Sequence, residues 1–256
     1  MTGVRNRGAG WGIWDLHVHS PSSIVQNYGG DDDATWARYL DALEALPEDI
    51  RVIGLNDYWF LDGYKRVRDA KLSGRLANLD AIFPILEMRI DQFGGTEGKL
   101  KRVNLHVIFD PDLDPMVIQQ QFLDRLHGSF SLTDTTSGAD WNGAVTRESM
   151  ADLGHKIKAS VPPQELNHYG TDLEEGFNNL NLPLETITKV LESSYLQGKA
   201  LIGLGKTEWA AIKWNEQAIA SKRNTISTAK FLFTAFEDPS DWRAQVDKLK
   251  DQNVNN

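Results

Sequence analysis

Apolar and polar positions fall into two alternating rhythms along the first 110 residues. GIWDLHVH (12–19), RVIGLNDY (51–58), IFPILEMRI (82–90) and VNLHVIF (103–109) are short, mostly apolar runs of strand length. Between the first two lies DDDATWARYLDALEAL (31–46), with apolar residues at helical spacing behind Asp and Thr start signals. LDGYKRVRDAKL (61–72) repeats that helical rhythm after the second strand. The Gly-rich FGGTEGK (93–99) predicts the turn between the third and fourth strands. Further on, DPMVIQQQFLDRLHG (114–128) and LPLETITKVLESSYLQG (182–198) predict amphipathic helices, each closed by a glycine. KALIGLG (199–205) and TAKFLFTAF (228–236) predict short buried strands, and DPSDWRAQVDKLKDQ (238–252) a final helix. Polar, Gly-rich residues 128–145 predict a surface loop. Strand–helix alternation of this kind predicts an α/β fold with a mainly parallel sheet, a single domain over residues 1–256.

Period two assigns faces within each strand. Trp14, Leu16 and Val18 share one side of the first strand, and Asp15, His17 and His19 the other. Leu86, Met88 and Ile90 lie opposite Glu87, and Leu105, Val107 and Phe109 lie opposite His106. Each strand is thus apolar on one face and carries metal-capable residues on the other. A barrel with a helical coat accounts for that pattern. Its chemistry belongs at the C-terminal strand ends, where the spacing places His17, His19, Asp57, Glu87 and His106.

Composition narrows the chemistry. The chain has no cysteine, so a metal must sit on His, Asp or Glu. Absent thiols and the lack of an apolar leader or span predict a cytoplasmic protein with no membrane contact. The net charge of −9 argues against a broad DNA-binding surface but leaves room for a small phosphate-bearing substrate. Imidazoles at i and i+2 with a carboxylate suit divalent Zn, Mn or Fe better than Ca, and two such ions clamp a phosphoryl group.

DLHVHS (15–20), LNDYWFLDGYKRV (55–67), PILEMRI (84–90) and NLHVIF (104–109) together resemble the PHP (polymerase and histidinol phosphatase) family of metal-dependent phosphoesterases. The resemblance is close over about residues 12–125 and looser beyond, and is nearest to modules that precede large ATPase domains. It implies a distorted (β/α)7-type barrel with one to three metal ions. It also implies a nucleotide or nucleic-acid phosphoester as substrate and an ATPase domain or subunit as partner. By position it makes His17, His19, Asp57, Glu87 and His106 metal ligands, with Glu87 bridging.

Three departures bear on that reading. The family's Asp-His pair is Asp57-Tyr58 here, the third histidine of the first motif falls near Val25, and no Asp-x-His follows His168. These point either to a barrel incomplete at its C-terminus or to a degenerate site that serves as a docking or regulatory module. His168 or His155 is a candidate for the mid-chain ligand, His168 the better placed beside Gly170 in a loop. His127 reads instead as a cation at a helix end. GLGKT (203–207) is not a phosphate loop, because Ala200 stands where the first glycine is needed. Lys206, after the strand, is the candidate catalytic cation for a substrate phosphate, with Lys222 and Arg223 assisting. Tyr58, Trp59 and Phe60 either stack on a base or pack the second helix.

Overall fold

The computed structural model describes residues 12–94, 101–131, 140–205 and 219–233. Lys206, the 238–252 helix and most of the FGGTEGK turn lie outside these residues, as does the side chain of Lys222.

The chain is mixed α/β, built on one curled six-stranded sheet. Its strands are β1 (Ile13–Val18), β2 (Ile50–Tyr58), β3 (Ala81–Gly94), β4 (Lys101–Phe109), β7 (Ala200–Gly205) and β8 (Phe231–Phe233), in that spatial order. β1, β2 and β3 pair in parallel, as do β7 and β8, whereas β4 is antiparallel to both β3 and β7. β4 therefore runs against the other five strands. The physical reason is the connection: only residues 95–100 separate β3 from β4, too few for the crossover that a parallel pair needs.

α1 (Asp33–Glu44) and α2 (Asp62–Leu72) form where the apolar rhythm predicts them. Asp32 caps α1 by accepting from the Thr35 amide. Trp36, Tyr39, Leu40 and Leu43 of α1 join Tyr64 and Val67 of α2 in the core, against Ile53, Leu55, Leu86 and Met88 of the sheet. Burial of each such side chain contributes about 1.5–3 kcal/mol. Trp59 and Phe60 pack in that same core, so two of the three strand-end aromatics serve packing. Trp59 takes a left-handed backbone conformation (φ 62°), which swings the chain from β2 toward α2.

The second half differs more from expectation. α3 stops at Gln121 (Pro115–Gln121) and a single 3-10 turn (Leu123–Arg125) follows it. Phe122, Leu123 and Leu126 are all buried, and the chain must leave helical geometry to bury them together. His127 consequently opens β5 (His127–Phe130) instead of ending a helix. β5 pairs with β6 (Trp141–Ala144), so the ends of the expected loop form a two-stranded ribbon. α4 (Arg147–Ala159) and α5 (Asp172–Asn179) pack on each other, and α6 spans Leu184–Leu191. α7 (Ile219–Thr228) leads into β8.

β1 also departs from strict alternation. Trp14 aligns with Val52 and Asp15 with Ile53, but Val18 aligns with Leu55. β1 thus carries one extra residue, a bulge that reverses which side chains share a face. Trp14 lies on the face of Phe83, their rings 5.7 Å apart, which is also the face of Glu87. It is more than half exposed rather than packed beneath helices. Gly54, opposite the bulge, has no room for a Cβ, because the Leu16 backbone lies against it.

Candidate metal centre

Cross-strand register builds the site. Glu87 on β3 stands directly opposite His106 on β4, and Tyr58 on β2 is the parallel partner of Glu87. The face that holds Glu87 therefore holds Asn56, Tyr58, Asn104 and His106, and the β1 bulge brings His17 over it. Glu87 and His106 are central in their strands rather than at the ends, and both are buried.

Ligand atoms of His17, Glu87 and His106 lie within 4.8 Å of one another. The Nε2 atoms of His17 and His19 are each 3.7 Å from Glu87 Oε2, so His19 borders the same carboxylate oxygen. The His17 ring lies 5.2 Å from that of His19 and 5.3 Å from that of His106, with Phe233 of β8 edge-on to both His17 and His106.

Asn56 organises the centre, and the sequence pattern does not single it out. Its Oδ1 accepts from His106 Nδ1 at 3.0 Å, and its Nδ2 donates to Glu87 Oε2 at 2.9 Å. That bond places the His106 proton on Nδ1 and leaves the Nε2 lone pair for a cation. Asn104 Nδ2 donates to Glu87 Oε1 at 2.5 Å.

The environment favours neutral imidazoles, the form that binds metal. Burial pulls His19 down to about 4, with the His17 charge adding to it. Burial also holds His106 well below the usual histidine value, with His17 and His19 contributing. Tyr58, where the resembled family has a histidine, stacks on His19 at 5.1 Å, and burial pushes its phenol up to about 12.

Asp57 points to the opposite face. Side chains alternate along β2, so its carboxylate leaves the Glu87 side and accepts from the Ser20 amide (2.7 Å) and hydroxyl (2.5 Å). Burial pushes its pKa up to about 6 against those two bonds. His168 is exposed at the end of a 3-10 turn (Pro163–His168), apart from the cluster, and His155 pairs with Asp172 on the surface. The structure thus gathers His17, His19, Glu87 and His106 and leaves Asp57 and His168 outside.

The donor set fits a divalent ion. Ligands at about 2.1 Å from zinc lie at most ~4.2 Å apart, so a 4.8 Å spread closes with small side-chain adjustments. Two imidazoles and one carboxylate are nitrogen and oxygen donors of the kind that divalent first-row ions take.

The depressed histidines set a pH dependence. Below about 6.5 the unfolded chain protonates both imidazoles, whereas the folded chain keeps His19 neutral down to about 4 and His106 neutral as well. Stability of the metal-free protein therefore falls as pH drops from 6.5 toward 4. Asp57 opposes this below 6, because the folded state binds its proton first. Two imidazoles outweigh one carboxyl, so the melting temperature is expected to decline across that window. A flat or rising profile would mean that the imidazoles are already charged in the fold.

No protein-family model matches the chain, and no curated protein matches it. Among the described residues no helix is long and apolar enough to cross a membrane.

Proposed function

We propose that the chain is a metal-dependent phosphoesterase module with a PHP-like, (β/α)7-derived barrel, acting on a nucleotide or nucleic-acid phosphoester. The observation that carries this reading is the convergence of His17, Glu87 and His106 from three separate strands onto one 4.8 Å cluster, with His19 at its edge. A divalent ion bound there would neutralise phosphoryl charge and make water a nucleophile near neutral pH. The histidines and Glu87 would hold it, while Asn56 and Asn104 fix the carboxylate. Phosphodiesterase assays with added Mn or Zn test the reading. His17→Ala combined with His19→Ala is expected to reduce hydrolysis to background, and equal activity in the two proteins would end the proposal.

A second reading has its own observation. Asp57, a ligand in the resembled family, faces Ser20, and Tyr58 stands where a histidine ligand would be. A module that keeps the scaffold without the full ligand set would dock on or regulate an ATPase partner. Metal analysis of the purified protein separates the two: well under one equivalent of bound ion in a folded chain favours docking.

A further inference from the structure

His19 lies one residue past the end of β1, where strand pairing no longer fixes the chain. Its backbone is pinned on both sides instead. Ser20 gives its amide and hydroxyl to Asp57, and the Tyr28 hydroxyl donates to the His19 carbonyl at 2.8 Å. The imidazole is held separately, by Tyr58. The two rings stack at 5.1 Å with 24° between their planes, within the range of about 4.5–7 Å for offset aromatic pairs. Tyr58 is itself braced. Phe177 of α5, fully buried, packs on its ring at 4.8 Å, and the Arg89 guanidinium covers Phe177 at 4.3 Å. The phenol oxygen reaches toward Glu87 and Arg89.

The stack aims the imidazole at the cluster. His19 Nε2 lies 3.7 Å from Glu87 Oε2, the same oxygen and the same distance as His17 Nε2. Two ligand atoms on one zinc-sized ion stand at most ~4.2 Å apart, so both imidazoles already meet the limit set by that oxygen. On the other side of the ring, Nδ1 lies 3.5 Å from Ser23 Oγ, which also faces the Tyr58 amide at 3.4 Å. A hydroxyl oxygen has lone pairs for both N–H groups, so Ser23 can take the Nδ1 proton and leave Nε2 free toward Glu87.

We propose that Tyr58 is the positioning residue for His19: its ring, braced by Phe177, holds the imidazole against Glu87 so that Nε2 joins His17, Glu87 and His106 as a fourth donor. The inference rests on the metal centre of the phosphoesterase reading but on residues outside the three-residue cluster. Tyr58 acts through His19 and gives the ion no ligand of its own. Four protein donors still leave a place for water on an ion such as Mn that takes octahedral coordination.

Cobalt(II) titration of the full chain tests this, with the d–d absorption band reporting coordination and aromatic NMR reporting the His19 ring. Tyr58→Leu is expected to weaken cobalt binding by about 10–100-fold, the scale set by loss of an outer partner, and to change the band. Tyr58→Phe, which removes only the hydroxyl, is expected to keep the band. In the metal-free wild type and in Tyr58→Phe the His19 ring protons are expected upfield, over the Tyr58 face, and Tyr58→Leu is expected to lose that shift. A merely structural role would lower the melting temperature without moving the band. In the wild type, zinc is expected to shift the His19 ring protons further. Unchanged affinity and band in a folded Tyr58→Leu overturn the proposal, and so do wild-type His19 protons that ignore zinc. The zinc result decides if Tyr58→Leu fails to fold. Hydrolysis with cobalt binding that is indifferent to Tyr58 removes the positioning role alone. Tyr58-dependent cobalt binding without hydrolysis removes the phosphoesterase reading alone, and a wild type that binds no cobalt removes both.

Discussion

Glu87→Gln is expected to leave a folded protein that no longer retains a divalent ion and shows only background phosphodiesterase activity. The side chain is 2% exposed and both oxygens already accept amide hydrogens, from Asn56 and Asn104. Glutamine matches its shape but removes the charge and turns one oxygen into a donor. That donor must face the amide group of Asn56 or Asn104, leaving a buried N–H unsatisfied at about 1–3 kcal/mol. For a domain of this size the melting temperature falls by about 2–4 °C per kcal/mol. Metal affinity falls further. Loss of an outer partner alone costs about 10–100-fold, and loss of the one carboxylate that the described residues bring to the cluster is expected to exceed 100-fold. Metal content after gel filtration, read beside a melting curve, checks both parts. A folded variant that still carries a full equivalent of ion would place the metal elsewhere and remove the basis of the site.

How far this centre was legible in the sequence follows from strand geometry. His17, Glu87 and His106 are readable because each is a polar position between two apolar neighbours in its strand, and period two puts it opposite the core. The register that sets Glu87 across from His106 is not readable, since it depends on the short β3–β4 connection turning the sheet antiparallel. The bulge in β1 is equally hidden: one extra residue reverses the face of Trp14, and nothing local in IWDLHV announces it. Asp57 illustrates the cost of choosing by residue type. It is the more obvious ligand in GLNDY, yet parity with Glu87 selects its neighbour Asn56. Among helices, α1 and α2 were plain from their apolar stripe. α5 carries a Thr171–Glu174 capping box that was there to be read. α3 ends early because three buried side chains after it outweigh helical propensity, a tertiary effect beyond any window of sequence.

Asn56→Ala is expected to lower metal affinity by about 10–100-fold while leaving kcat near wild type once metal is saturating. The asymmetry follows from what Asn56 touches. It orients His106 through Nδ1 and Glu87 through Oε2, and it offers no strong ligand atom of its own. Without it, His106 keeps its place beside Phe233 but has no fixed tautomer, so part of the population presents Nε2–H to the ion. Excess Mn recovers the competent tautomer by mass action, whereas no excess restores a missing carboxylate in Glu87→Gln. Activity titrated against Mn concentration therefore separates a residue that holds the ion from one that arranges its holders. Asn56→Asp sharpens the contrast. Its acceptor oxygen still takes the His106 proton, but its other oxygen meets Glu87 Oε2 where an amide donor stood. Two carboxylates at that distance cannot both ionise without an ion between them. The metal-free variant is then destabilised as pH rises through the pair's elevated pKa, the opposite slope to the wild type between pH 6.5 and 4. If Asn56→Ala instead bound Mn as tightly as the wild type, packing by Phe233 and His17 alone would fix the imidazole, and Asn56 would matter only for the charge on Glu87.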